Sequence, residues 1–148
     1  MMRKAKAEDI DELNALCFRS KAVWGYDDAF MEACREELSL DQAEIETTEI
    51  AVIEADGKIV GMAQIEFDAE DVDLKRIFVD PAVLKSGLGS RLFAWAVETA
   101  RGQGGMVMGV DADPFVAPFY RKMGMRDIGR SPSGSIPGRF LPRLALEL

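Results

Sequence analysis

The residues best suited to chemistry lie between Leu74 and Gly102, in the run LKRIFVDPAVLKSGLGSRLFAWAVETARG. Leu74, Ile77, Phe78 and Val79 are apolar or β-branched and read as a strand. Pro81 ends it, because proline has no N–H to donate to a ladder. Gly87-Leu88-Gly89 follows, and Leu88, Leu92, Ala96 and Ala100 then recur at helical spacing. Strand, glycine-bearing loop and helix together present free N–H groups and a positive dipole end, which suits an anion such as a phosphate. Two glycines at i, i+2 also remove the Cβ atoms that would hold a ligand off the backbone. The same glycines would equally serve a packed strand–helix turn with no ligand.

Spacing separates the kinds of phosphate loop. A P-loop needs Gly-Lys-Ser/Thr, whereas Gly89 is followed by Ser90-Arg91. A dinucleotide fingerprint needs a third glycine where Leu92 stands, and a tight turn where Asp80 to Ser86 intervene. Asp111, at the end of the next apolar run, lies about where a ribose-binding acid would fall and keeps that reading open. Lys75, Arg76, Lys85 and Arg91 surround the loop in sequence. They matter because the chain carries a net charge of −8, so a polyanion can bind only where local N–H groups and cations dominate. The same charge argues against non-specific nucleic-acid binding. Histidine is absent, which excludes Ser-His-Asp and Cys-His catalysis. Cys17 and Cys34 form no CxxC pair or disulfide framework, and no metal is expected.

The elements that must position this loop follow from periodicity. Met2 to Lys6 reads as a strand, and Asp9 with Glu12 as a capping box opening a helix with Ile10, Leu13, Leu16 and Cys17 on one face. Trp24-Gly25-Tyr26 interrupts, and Asp28 is expected to cap a second helix bearing Phe30, Met31, Cys34 and Leu38. Glu49 to Glu54 and Lys58 to Phe67 read as strands joined at Ala55-Asp56-Gly57, a hairpin signal. After the central βα unit, Met106 to Val110 reads as a strand and Pro114 as the first turn of a helix that Gly124 closes. Ser131 to Gly138 reads as a loop, and Leu144 to Leu148 as a last strand with Pro142 at a bulge or edge before it. The sum is an α+β chain whose 148 residues suit a single domain, 1–148. No apolar run is long enough to span a membrane, and MMRKAKAED lacks the apolar core of a secretory signal, so a cytoplasmic protein is expected.

Phe78-Val79-Asp80-Pro81 followed by Leu84-Lys85-Ser86-Gly87-Leu88-Gly89 resembles the acetyl-CoA loop of the GNAT (GCN5-related) N-acetyltransferases. Leu84 stands where that pattern has Gln or Arg, and Lys85 supplies a cation one place later. Asp111-Ala112-Asp113-Pro114, then Ala117-Pro118-Phe119-Tyr120 and Gly124, resembles the family's second landmark, with Phe115-Val116 in place of Asn-Ala. The resemblance implies a GNAT-type acyl-CoA N-acyltransferase fold, a mixed central sheet flanked by helices. It also implies acetyl transfer from acetyl-CoA, without metal, to a primary amine of a small molecule or peptide.

By the same resemblance, the strands of Leu74–Val79 and Met106–Val110 splay apart around the cofactor. Ile77, Phe78 and Val79, with Leu84, Lys85, Ser86, Gly87, Leu88, Gly89 and Ser90, bind it, the N–H of Ile77 meeting the thioester carbonyl. Tyr120 is the general acid. Asp73 takes the position of a general base, with Glu66, Asp68 or a water chain as alternatives. Trp24 and Tyr26 belong to the acceptor pocket. Carboxylates at Asp27, Asp28, Glu32, Glu36, Glu37, Asp41, Glu66, Asp68, Asp71 and Asp73 suggest a cationic acceptor. A homodimer is in keeping with the family, and a non-catalytic acyl-CoA sensor is the competing reading.

Overall fold

The computed structural model describes all 148 residues. In chain order its elements are β1 (Met2–Lys4), α1 (Ile10–Ala22), α2 (Asp28–Leu38), α3 (Gln42–Thr47), β2 (Glu49–Ala55), β3 (Lys58–Asp68), β4 (Asp71–Val79), α4 (Leu88–Gly102), β5 (Val107–Asp111), α5 (Ala117–Lys122), β6 (Arg126–Pro132) and β7 (Phe140–Glu147). The strands form one mixed sheet in the order β1-β2-β3-β4-β5-β7-β6, in which only β4 and β5 are parallel. No helix is long and apolar enough to cross a membrane.

Alternation along the strands sends apolar residues to both faces, so the sheet is covered twice. Leu13, Leu16 and Cys17 of α1 pack on Ile50, Val52, Ile59 and Met62. On the opposite face Phe93, Ala96, Val97 and Ala100 of α4 meet Ile65, Val72, Leu74, Met108 and Leu144. The β2–β3 hairpin turns at Asp56 and Gly57, with φ of 52° and 77°, as the Asp-Gly pair requires.

Several local expectations fail, and for Asp9 and Glu12 the reason is a competing partner elsewhere in the chain. Asp9 does not cap α1. It closes a preceding 3-10 turn, accepting from the Lys6 N–H at 2.8 Å and pairing with Arg3 at 2.8 Å. Glu12 instead reaches the Ile59 N–H at 2.7 Å. The cap of α2 is Asp27, which accepts from Phe30 N at 2.8 Å, and Asp28 is already helical. Pro118, not Pro114, sits in the first turn of α5. Arg126 to Pro132, partly expected as loop, is an edge strand, and β7 begins at Phe140 with Pro142 inside it, opposite Arg130. Pro142 lacks a donor, but its carbonyl accepts from Ala112 N at 2.9 Å.

The short helix α3 was not foreseen, and it brings Glu44 to a buried polar network. Lys75 is an extra residue in β4, since Gln64 faces Arg76 and Ile65 faces Leu74. Arg76 points inward, 9% exposed. Its guanidinium donates to Gln64 Oε1, to Glu44 at 3.0 Å and to the Glu37 carbonyl at 2.7 Å. Gln64 donates in turn to Glu44 at 2.9 Å and Thr48 at 3.0 Å. This network fastens the α2–α3 turn to β4. Arg76→Leu would leave Gln64 and two carbonyls with fewer partners in the interior, and should lower the unfolding free energy by about 3 kcal/mol. Urea denaturation checks this; a loss below about 1 kcal/mol would show that the turn is held by its apolar contacts instead.

Candidate active site

β4 and β5 pair only through Asp71–Val107, Val72–Met108 and Asp73–Gly109, and beyond these they diverge. A cleft of about 1130 Å³ opens between them and runs to the start of α4. Ile77, Phe78, Val79 and every residue from Leu84 to Ser90 border it. Lys85, with φ of 66°, and Gly87, with φ of 86°, bend the loop through left-handed conformations. The cost at Lys85 is real for a residue with a Cβ, and glycine removes it at 87. The first helical bond of α4 runs from Arg91 N–H to the Gly87 carbonyl, 3.2 Å. The N–H groups of Leu88, Gly89 and Ser90 therefore precede the helical ladder and are free for an anion. Gly89 has a second reason to be glycine, because an added Cβ would stand 3.3 Å from the Phe119 ring.

The cations are arranged differently from the expectation. Arg76 is committed to the buried network and Arg91 does not border the cleft. Lys75 lies 3.9 Å from both Glu44 and Glu66. Lys85 and Lys122 do border the cleft, and neither has an ion-pair partner.

Tyr120 is 4% exposed, with its ring among Phe93 and Phe119. No protein group bonds its hydroxyl, yet no buried side-chain polar atom lacks a partner, so the oxygen opens to the cleft it borders. Burial, and then the charge of Asp113, pushes the phenol above its ordinary range. It stays protonated throughout neutral pH.

Asp113 is a hub. It accepts from Lys21 Nζ at 2.9 Å, the Tyr26 hydroxyl at 2.8 Å and the Phe115 N–H at 2.9 Å, with Arg139 at 3.7 Å. Arg139 also donates to the Tyr26 hydroxyl at 2.8 Å. One carboxylate thus joins α1, the α1–α2 turn, the β5–α5 turn and the β6–β7 loop. Burial, the largest single influence, would raise its titration. The bond and charge of Lys21, together with the bonds from the Phe115 N–H and the Tyr26 hydroxyl, hold it below the usual carboxylate range. Tyr26, desolvated and donating to Asp113, is pushed up to about 12. It is therefore bound within the wall, stacked on Phe30 at 4.0 Å, and does not border the cleft. Trp24 does border it.

Asp73 stands at the last paired position of β4, and its Oδ1 accepts from Arg143 at 3.2 Å. The same Arg143 nitrogen lies 3.3 Å from Asp111. Arg143 lies over Gly109, where any Cβ would collide with its guanidinium. Of the ten acids expected at the acceptor side, Glu36, Glu37, Asp41 and Asp73 border the cleft, joined by Glu44. Asp27, Asp28, Glu32, Glu66, Asp68 and Asp71 do not. Asp27 caps α2 and Glu32 pairs with Arg35 at 3.0 Å. Sequence reasoning also missed Lys21, Arg139 and Arg143, whose partners lie far along the chain and leave no local pattern. No cluster of three or more Asp, Glu, Cys or His is placed to hold a metal ion.

The profile of the acetyltransferase (GNAT) family matches residues 7–125. No curated protein matches the sequence. Among solved structures, the PaiA N-acetyltransferase of Thermoplasma acidophilum in complex with coenzyme A superposes with a TM-score of 0.84 at 17% identity, over 100% of this chain and 98% of its own. An aminoglycoside 6′-N-acetyltransferase complexed with coenzyme A gives 0.75 at 15%, over 99% and 96%. The ribosomal-protein-alanine N-acetyltransferase of Brucella melitensis gives 0.71 at 21%, over 100% and 99%. Such identities speak for a shared fold.

The hub generates a pH prediction. A carboxyl that titrates lower in the folded than in the unfolded chain stabilises the fold fully above its unfolded pKa, about 3.9, and less as pH falls through the folded value. The Tm gap between the parent and Asp113→Asn should therefore be wide near neutrality and narrow steadily below about pH 4. A gap that is constant from neutral to acid would mean that the carboxylate's charge adds nothing.

Proposed function

Because the chain belongs to the acetyltransferase (GNAT) family, we propose that it moves an acetyl group from acetyl-CoA directly to the primary amine of a cationic acceptor. The observation that carries this reading is that the free hydroxyl of Tyr120 opens to the cleft that the α4 N-terminus and the unpaired edge of β4 also border. Anion-holding N–H groups, a backbone edge and one proton donor are the parts that acyl transfer needs. The coenzyme A named in the first two of those solved structures supports acetyl-CoA as the donor.

In the reaction a bond forms between the amine nitrogen and the acetyl carbon, the carbon–sulfur bond breaks, and the thiolate takes the proton of Tyr120. Burial makes that phenol a weaker acid, which alone would slow donation. The same desolvation raises the proton affinity of a thiolate leaving into the cleft, so the two remain matched. The amine proton goes to water or to Asp73, whose Oδ1 is engaged by Arg143 while Oδ2 has no partner. No protein nucleophile is used. Cys17 and Cys34 are both buried, and burial pushes the Cys17 thiol up to about 12, far from the reactive range.

Pyrophosphate binding falls to the loop Leu84–Ser90, where Lys85 supplies the nearest free charge. Glu36, Glu37, Asp41, Glu44 and Asp73 give the opposite side of the cleft a negative rim, which favours an ammonium acceptor. The aminoglycoside enzyme among the solved structures acts on an amine of this kind. Residues 1–148 then form one catalytic domain working in the cytoplasm.

Two measurements test the reading. Acetyl-CoA turnover against a panel of amines should appear with the parent, and Tyr120→Phe should lower kcat by about 10²–10⁴-fold with acetyl-CoA affinity little changed. The alkaline fall in kcat expected of an acidic phenol should lie above pH 10. Parent protein that binds acetyl-CoA but acetylates nothing would favour a sensor. Lys85→Glu should weaken acetyl-CoA binding about tenfold in calorimetry, and more at low salt. Unchanged affinity would move the pyrophosphate elsewhere.

A further inference from the structure

Most large apolar side chains of this protein are covered, and the exceptions are not evenly spread. Trp24 is 37% exposed and Phe115 52% exposed, and both border the cleft. Their rings lie parallel, 2° apart, with centroids separated by 5.6 Å. Tyr26 meets the edge of Phe115, with a centroid distance of 5.6 Å and an interplanar angle of 77°, and its back rests on Phe30. The arrangement is braced from beneath. The Phe115 N–H is held by Asp113 at 2.9 Å, and Lys21 on the same carboxylate lies 5.3 Å from the Tyr26 ring centroid. Two aromatic rings are thus held in fixed orientation with an open face, in the same cleft as Tyr120. Left in water, that face costs free energy that a ligand's apolar body would recover.

We propose that Trp24 and Phe115 form a recognition platform for the non-reacting part of the acceptor, and that the acceptor is a primary amine carrying a flat aromatic or apolar body. This rests on the amine-acetylation reading above. The occupant follows from position and charge. Trp24 and Phe115 border the same cleft as Tyr120, and Phe115 lies in the turn that leads into the helix bearing Tyr120. A ligand covering the rings therefore lies in the reacting cleft. The acids bordering the cleft suit the ammonium end, while the platform offers a hydrophilic tail only the Trp24 indole N–H beside its ring faces. Lys21 and Arg139 are both occupied by Asp113 and by the Tyr26 and Phe30 rings. They are unavailable to an anionic substituent.

The test compares 2-phenylethylamine with ethanolamine, in turnover and in quenching of Trp24 fluorescence, using the parent, Trp24→Ala, Phe115→Ala and, for fluorescence, Trp24→Phe. In the parent, 2-phenylethylamine should have the higher kcat/KM by about tenfold or more. Trp24→Ala and Phe115→Ala should each raise its KM about tenfold while leaving the KM for acetyl-CoA and for ethanolamine within about twofold. Quenching by 2-phenylethylamine alone, lost in Trp24→Phe, should report the same site without turnover. Equal or greater preference for ethanolamine overturns the platform while the acetyl-transfer reading stands. A KM increase for acetyl-CoA assigns the rings to the pantetheine arm and also overturns it. Selective quenching without acetylation of any amine keeps the platform and removes the enzyme reading. Neither quenching nor turnover removes both.

Discussion

The architecture depends on the early end of one ladder. β4 and β5 share three register pairs, and from Leu74 onward the β5-facing edge of β4 has no strand beside it. An unpaired interior edge is costly unless water or a ligand satisfies it. The outer edge of each strand is fully paired. β5 is claimed along its whole length by β7, from Val107–Glu147 to Asp111–Arg143. β4 is claimed by β3, with the additional Lys75 accommodated in a bulge that turns Arg76 into the interior. These ladders occupy the far edges of both strands, so the facing edges beyond Asp73 and Gly109 are the ones left without a strand partner. The cleft lies where the β4–β5 ladder stops, and α4 is delivered to its mouth by the loop that leaves β4 at Pro81.

The two sides of the cleft are held by different physics. On the loop side the ligand-facing groups are backbone N–H donors, set by left-handed conformations at Lys85 and Gly87. On the acceptor side the wall is assembled from remote segments through charge: Asp113 gathers α1, the α1–α2 turn and the β6–β7 loop, and Arg76 gathers the α2–α3 turn. Backbone donors tolerate almost any side chain, whereas charge networks change with single substitutions. That division fits a fold kept by relatives of only 15–21% identity. It would also let a chain of net charge −8 offer a site to a polyanion. Its cleft-side acids cluster on the acceptor wall, while Lys85, Lys122 and free N–H groups face the cofactor side.

The same division explains what could be read from sequence. The hairpin at Asp56-Gly57, the strand–loop–helix unit and the helix stop at Gly124 depend on residues close together, and their signals are local. The splaying of β4 from β5, by contrast, is implied only by the family resemblance. Asp9 and Glu12 have the spacing of a capping box, but Arg3 and the Ile59 N–H offer them stronger partners. Pro118 and Pro114 are equally good first-turn residues by local signal, and it is Pro118 that takes the first turn of α5. β6 carries Ser, Gly and Pro because it is an exposed edge with nothing to pack, so it reads as loop. Arg76 reads as a surface cation beside a phosphate loop, and its burial depends on Glu44 of a helix six residues long that has no periodicity to reveal it. Asp113 lies in a recognisable motif, yet Lys21, Tyr26 and Arg139 are 92, 87 and 26 residues away.

The coupling between the two sides runs through Asp113. It is the only carboxylate that both braces the acceptor wall and acts on Tyr120, whose phenol its charge helps to keep protonated. A negative charge near a general acid opposes formation of the phenolate, which by itself would hinder proton donation. The opposition is limited because Lys21 and Arg139 neutralise Asp113 from the other side. Both cations also rest against the rings of Tyr26 and Phe30, so any rearrangement of the acceptor wall alters how well Asp113 is screened. In the proposed reaction, the acceptor wall and the proton affinity of Tyr120 would therefore share one carboxylate, Asp113.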